Sequence, residues 1–394
     1  MQQYEYLIPS TGNLLSDILS SFGLLELLLM SDPLIDVEYR LGHYNMLRVR
    51  SEAKREDLEE NILKNLNTLS KSERIKQNLN FTINTGKGRP EPAYEILRRL
   101  IDERMKNIFS LNAFRSIRKT KKSKELDTFY LSIFPIYGKG SKGYDNVMAG
   151  EESARATPEI IVSYMIGLAL YTISWREKIG DAVSRIHLSL FPPLGRLVHK
   201  NYIKTLRRIA ILHSTEDSQW YINNCLKNLP RLVLPLAVLV NLDISILRYL
   251  KKIYPPQLML FNVERLRGRA AEASRLYRVH DTTVFLDFFL GLNERIYEAK
   301  EYILSLIKLR GSREVKNSEL ASIIDSLLLE LSYAILNRDI NKLIRVLFET
   351  ERLENRVGRE LKEELRRNIY KPSFDLSCAI TVRYLLEESE ELNR

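Results

Sequence analysis

Glycine and lysine alternate at two places in this sequence, Gly86-Lys87-Gly88-Arg89 and Gly138-Lys139-Gly140-Ser141-Lys142-Gly143, and those residue types together suit an anion. Glycine lets backbone N–H groups approach a phosphate closely, while Lys or Arg neutralises its charge. Neither stretch has the G-x-x-x-x-G-K-S/T spacing of a P-loop, and the second does not open a helix, which argues against nucleotide hydrolysis. Two readings stay open. The stretches are either solvated connectors in which lysine maintains solubility, or fingers gripping a sugar-phosphate backbone through Lys87, Arg89, Lys139 and Lys142. The basic run between them favours the second.

That run places Arg115, Arg118, Lys119, Lys121, Lys122 and Lys124 within ten residues, with no acid until Glu125. A solvated linker would explain it, but six like charges repel one another unless an anion neutralises them, so phosphate contact is the expectation. A third group is built from arginine: Arg265, Arg267, Arg269, Arg275 and Arg278 surround Gly268 and precede His280. Arginine suits bidentate contacts to phosphate or guanine, and pairing with Glu264 and Glu272 is the competing explanation.

His280-Asp281 resembles one piece of a metal-dependent phosphohydrolase or nuclease centre, which also needs an upstream His and a downstream Asp. His213, His199 and Asp287 are nominal partners without supporting spacing. Asp281 stands immediately before the apolar run Thr282-Thr283-Val284-Phe285, so a helix N-cap is the expected role. There is no H-E-x-x-H, C-x-x-C or G-x-S-x-G, His43 and His187 are isolated, and acid pairs such as Glu363-Glu364 fall on periodic helical faces. No nucleophile, base and oxyanion donor can be named together; the reading is a protein that is not an enzyme and takes no cofactor.

Charge is distributed unevenly. The chain carries +10, and between Lys71 and Gly150 there are 17 Lys/Arg against 8 Asp/Glu, so a fifth of the chain holds +9 of the excess. Such asymmetry points to a polyanionic partner. Two lone cysteines, Cys225 and Cys378, give no disulfide framework and fit a reducing, cytoplasmic setting, and no secretory signal is expected at the N-terminus. The stretch from Ile160 to Trp175 is uncharged for 16 residues, and Leu232 to Val240 is interrupted by Pro235; both are short for a membrane span and read as buried helices. Scarce Gln leans towards a heat-adapted source, while plentiful Asn pulls the other way.

The elements that must position these residues follow from periodicity. Helices are expected over Ser10–Met30, Lys54–Leu69 (Leu58, Ile62, Leu66, Leu69) and Ala93–Leu111, and a single buried helix over Pro158–Ile179. Alternation around Gly42 predicts a hairpin from Val37 to Arg50. Leu79–Asn84, Asp127–Tyr137, Arg185–Phe191 and Leu258–Val263 read as strands. Lys200–His213 and Ser218–Lys252 read as helical, the latter broken near Pro230 and Pro235, and periodic segments at 282–309, 318–336, 339–369 and 376–392 suit an antiparallel bundle. The expected class is α+β and predominantly helical: a mixed nucleic-acid-binding domain with a few strands over 1–280, then a helical bundle over 281–394.

The segment Leu7-Ile-Pro-Ser-Thr-Gly-Asn-Leu-Leu-Ser-Asp-Ile-Leu-Ser-Ser-Phe-Gly-Leu-Leu-Glu-Leu27 resembles the opening of CRISPR effector large subunits, where a short strand and a small-residue turn lead into a helix carrying a Phe/Tyr-Gly-Leu pattern. Size, charge and plan are similar to the large subunit of archaeal type I-A Cascade. The resemblance implies a non-enzymatic, cytoplasmic subunit of an antiviral ribonucleoprotein with guide RNA, target DNA and other Cascade subunits as partners. Such a subunit reads a motif beside the target, holds displaced strand and helps recruit a helicase-nuclease in trans; it has no membrane role. The family supplies no motif transferable by residue.

Overall fold

The computed structural model describes residues 2–8, 14–40, 45–83, 91–105, 109–111, 129–130, 155–179, 182–212, 219–262, 276–292, 296–312, 315, 319–339, 341–346 and 349. The expected loops at 85–90 and 138–143, the basic run at 115–124, Gly42, most of the 339–369 segment, the 376–392 segment and the 127–137 strand apart from Phe129 and Tyr130 lie outside them. The fold is α+β and predominantly helical, with small antiparallel sheets in the N-terminal half and helices towards the C-terminus. The chain forms two compact units, Met1–Leu212 with Gln257–Val279, and His213–Pro256 with His280–Arg394.

The first unit is organised around two helices that are apolar on nearly every side. Helix α1 (Leu14–Ser31) buries Ile18, Leu19, Phe22, Leu24, Leu25, Leu27 and Leu28, and α5 (Pro158–Leu170) buries every residue from Ile160 to Leu170. A helix without a polar face has to be enclosed, and each of these encloses the other. They approach closely because Gly23 and Gly167 face the opposing backbone: a Cβ on Gly23 would lie 1.7 Å from the Ser163 carbonyl oxygen, and one on Gly167 1.9 Å from that of Leu19. The helix α5 starts on Thr157, whose hydroxyl accepts from the Ile160 N–H, with Pro158 in the first turn.

Around this pair stand α2 (Arg55–Ser70), which presents the expected stripe of Leu58, Ile62, Leu66 and Leu69, and the short α3 (Glu73–Asn78). The strand β1 (Gln2–Ile8) pairs with β3 (Asn45–Ser51), and β3 with β2 (Asp36–Arg40), all antiparallel. The hairpin expected from the alternation at Val37 and Tyr39 is therefore present, with Val37, Tyr39, Leu47 and Val49 on its buried face. Short pairs β4 (Thr82–Ile83) with β5 (Glu91–Pro92), and β6 (Phe129–Tyr130) with β7 (Arg155–Ala156), complete the N-terminal strands.

One expected helix changes type partway. Instead of continuing to Ile179, α5 ends at Leu170 and the chain becomes strand β8 (Thr172–Ile179), antiparallel to β9 (Ala182–Phe191). From Thr172 onward Ile173 and Trp175 alternate with Ser174 and Arg176, and that period of two places the apolar pair on one buried face. The sheet continues through β11 (Gln257–Asn262) to β12 (Leu276–Asp281). The expected helix over Ala93–Leu111 is also shorter: α4 (Ala93–Arg99) gives way to one π-helical turn at Leu100–Arg104. Strand β10 (Leu197–His199) edges the first sheet and leads directly into α6 (Lys200–Leu212).

The second unit is helical. Among its described residues, a π turn at Tyr221–Cys225 and two 3-10 turns precede α7 (Leu234–Val240) and α8 (Ile244–Ile253), the breaks falling at Pro230 and Pro235 as expected. Then come α9 (Thr283–Gly291), α10 (Ile296–Gly311) and α11 (Glu319–Asn337). Arg310 grips Asp325 in a two-point ion pair at 2.7 and 3.0 Å, fixing α10 against α11. Lys251 pairs with Asp287, and Lys300 caps the Leu242 carbonyl. By length and hydropathy Leu320–Asn337 is the one described helix able to cross a membrane, and α7 with α8 qualify only as a pair bent by 111°. Ile324, Leu327, Leu328, Leu331, Ala334 and Ile335 of α11 are buried within the unit, as on a core helix.

Candidate nucleic-acid interface

The residues expected to hold nucleic acid, namely Lys87, Arg89, Arg115, Arg118, Lys119, Lys121, Lys122, Lys124, Lys139, Lys142, Arg265, Arg267 and Arg269, all lie outside the described residues. What is described is where their segments leave and return. Residues 84–90 run between Ile83 and Glu91, which are register partners in the β4–β5 pair. Residues 131–154 run between Tyr130 and Arg155, again direct partners. Residues 263–275 connect β11 to β12, neighbours in one sheet. Each of these three segments is therefore rooted on adjacent strands, and all fall in the first unit. The 112–128 segment ends at Phe129, the first residue of β6.

The same unit contains a charged cluster that sequence reading did not single out. Glu26 of α1 is almost wholly buried, its side chain 2% exposed, and Arg207 of α6 lies 2.6 Å away. The Tyr171 hydroxyl donates to its other oxygen at 3.1 Å. Burial pushes the Glu26 carboxyl above its ordinary value, against the charge of Arg207, the Tyr171 bond and the fields of Lys204 and Arg74. Arg74 of α3 donates to the Leu170 carbonyl at 3.3 Å; burial, then the charge of Arg207, lowers it to about 10, opposed by Glu26. One carboxylate thus faces three cations. The sequence signal was an acid inside the run Leu24-Leu25-Glu26-Leu27, a position that requires a partner whose identity comes only from the fold.

The other titratable candidates have structural roles. Asp281 closes β12, and Thr282 rather than Asp281 is the residue flanking α9; the aspartate accepts from the Thr283 N–H at 2.9 Å and its hydroxyl at 2.6 Å. The expected capping task is therefore performed one position earlier than a standard N-cap. His280 is buried. His187 is fully buried between Phe261, stacked at 5.4 Å, and Phe81, edge-on at 5.7 Å, with Thr172 Oγ1 3.2 Å from Nδ1. Burial and then Arg185 hold its pKa well below the usual histidine range, so it is a neutral core group. Burial pushes the Cys225 thiol up to about 12, an unreactive thiol packed against Gly311. Among the described residues no three His, Cys, Asp or Glu side chains are gathered so as to hold a metal ion.

No protein-family model matches this chain, and no curated protein matches it.

Proposed function

We propose that this protein is a non-catalytic, nucleic-acid-binding large subunit of a Cascade-like CRISPR surveillance complex. The observation that carries the reading is the concentration of charge: the stretch holding +9 of the chain's +10 belongs to one unit, whose Gly/Lys and Arg segments leave from adjacent strands. Segments anchored at both ends by paired strands can present cations to a phosphate backbone while the sheets keep their roots in place. The resemblance of Leu7–Leu27 supplies the class of complex, and the order of β1 followed by α1 agrees with the opening that resemblance implies.

In this reading the basic segments supply sequence-independent grip, guide pairing reads the target, and a short duplex motif beside it is read by the protein. Guide RNA, target DNA and neighbouring subunits are the partners, the compartment is the cytoplasm, no membrane is involved, and cleavage is left to a helicase-nuclease acting in trans. Asp281 has its carboxylate engaged at the start of α9, which favours the non-catalytic reading over a nuclease built on His280 and Asp281.

The experiment is selection from a library of duplexes in which the base pairs beside a guide-matched target are randomised. With this protein assembled into a guide-loaded complex, particular flanking motifs are expected to be enriched, and enrichment should vanish when the protein is omitted. Equal recovery of all flanks, with binding retained, would contradict motif reading and leave an RNA-binding scaffold.

A further inference from the structure

We infer that His199 is a pH-sensitive cap on α6: its neutral ring holds the first turn of the helix, and its protonated ring releases that turn while staying on the first sheet. The residue ends β10 and α6 begins at the next position, so His199 occupies the helix N-cap. Its Nδ1 accepts the Asn201 N–H at 3.3 Å, the bond that a capping side chain makes to the second helical residue. Serine, threonine, asparagine or aspartate ordinarily performs this task, and none of them changes charge near neutral pH. Imidazole does.

The two ring nitrogens serve different elements. A nitrogen that accepts an N–H carries no hydrogen, so the hydrogen of the neutral ring is on Nε2, which lies 2.6 Å from Asp36 Oδ1 on β2. In this tautomer both contacts are satisfied at once. Protonation places a second hydrogen on Nδ1, where it meets the Asn201 N–H donor to donor. The cap bond cannot persist in that form.

Charge decides which contact is kept. On the sheet side, Asp36 accepts from Nε2, and Glu38 is the cross-strand partner of His199. These two acids share Arg50, 3.6 Å from each, and Glu38 also pairs with Arg48 at 3.1 Å. On the helix side the first turn holds no acid, and Lys200 stands there with its ammonium bonded to the Ile35 carbonyl. A helix N-terminus carries partial positive charge, which repels an imidazolium. The charged ring is therefore drawn to Asp36, in a charge-assisted bond, and away from α6. Its side chain is 46% exposed, so a proton reaches it without unfolding. The Lys200 bond and the pairing of β10 with β2 hold the start of the helix beside the sheet in both forms, which keeps the change local.

The test uses NMR on the full chain, labelled with 15N in histidine and asparagine, for wild type, His199→Asn and His199→Ala, with melting curves to establish that each folds. The wild-type ring is expected as the Nε2–H tautomer at about pH 7.5 and protonated at about pH 5. Protection of the Asn201 amide from solvent exchange, corrected for the intrinsic effect of pH, is expected to fall about fivefold between them, the worth of a typical cap. Asparagine caps without titrating, so His199→Asn should keep its protection at both pH values, and His199→Ala should have little at either. An Nδ1–H tautomer, a ring still neutral at pH 5, equal protection of Asn201 in both charge states, or a fall in His199→Asn as large as in wild type would overturn the inference.

Discussion

Alanine at Gly23 or at Gly167 is expected to lower stability by about 3 kcal/mol, at the upper end of what overpacking usually costs. Each new methyl would fall within 2 Å of a carbonyl oxygen on the opposing helix, Ser163 in one case and Leu19 in the other. These obstacles are backbone atoms, so no rotamer change relieves them, and α1 and α5 would have to move apart along the central contact of the unit. In an exposed helix the same substitution would stabilise by about 1 kcal/mol through helix propensity, so even the sign is informative. Gly291, where an added Cβ meets nothing within 4 Å, supplies the control. Thermal or urea unfolding decides it: a melting temperature lowered by roughly 5–10 °C in the first two variants and at or slightly above wild type in Gly291→Ala is expected. Unchanged or raised stability in Gly23→Ala would mean that α1 and α5 do not cross this closely.

Arg207→Met is expected to cost about 3 kcal/mol near pH 8 and distinctly less near pH 5. Breaking a buried pair leaves an uncompensated charge, which typically costs about 3–5 kcal/mol; the lower end applies because Arg207 is 34% exposed and already shares its charge with solvent. Methionine keeps most of the apolar stem, so the loss reports charge rather than packing. The pH dependence follows from Glu26, whose carboxyl is already raised above its ordinary value of 4.5 by burial and loses its principal counter-charge in the variant. The unfolded chain then releases this proton at lower pH than the folded one does. The acid's stabilising contribution is complete below its unfolded value and is lost as pH climbs through the raised folded value, so the penalty grows with pH. Adding Glu26→Gln should recover most of the loss. A penalty under about 0.5 kcal/mol that is flat across pH would show that Glu26 is not buried against Arg207.

Much of the fold could be read from the amino-acid order where one face of an element is buried and the other is wet. Leu58, Ile62, Leu66 and Leu69 mark α2, and Val37 and Tyr39 mark the first hairpin, because their spacing matches the side of the element that the core requires. The strand β8 was misread because the uncharged, almost wholly buried run from Ile160 onward gives no helical stripe to mark where the helix ends, and the alternation from Thr172 to Arg176 spans only five residues. The glycines of the α1–α5 crossing are visible as residues, but the backbone each one meets is supplied by another helix. Glu26 looks anomalous within its leucine run, yet its partner Arg207 lies far along the chain. The basic segments emerged from counting charge.

The central claim is that this chain grips nucleic acid through its basic segments without cutting it. The most direct measurement is binding of duplex, single-stranded and guide-like nucleic acid across a salt series, with and without divalent metal, for wild type and for a variant with Arg118, Lys119, Lys121 and Lys122 replaced by Gln. Wild type should bind with a steep salt slope, the variant's duplex slope should be shallower by about 3 to 4, and the nucleic acid should stay intact with metal present. No wild-type binding at low salt, or metal-dependent cleavage abolished by Asp281→Asn, would contradict the account.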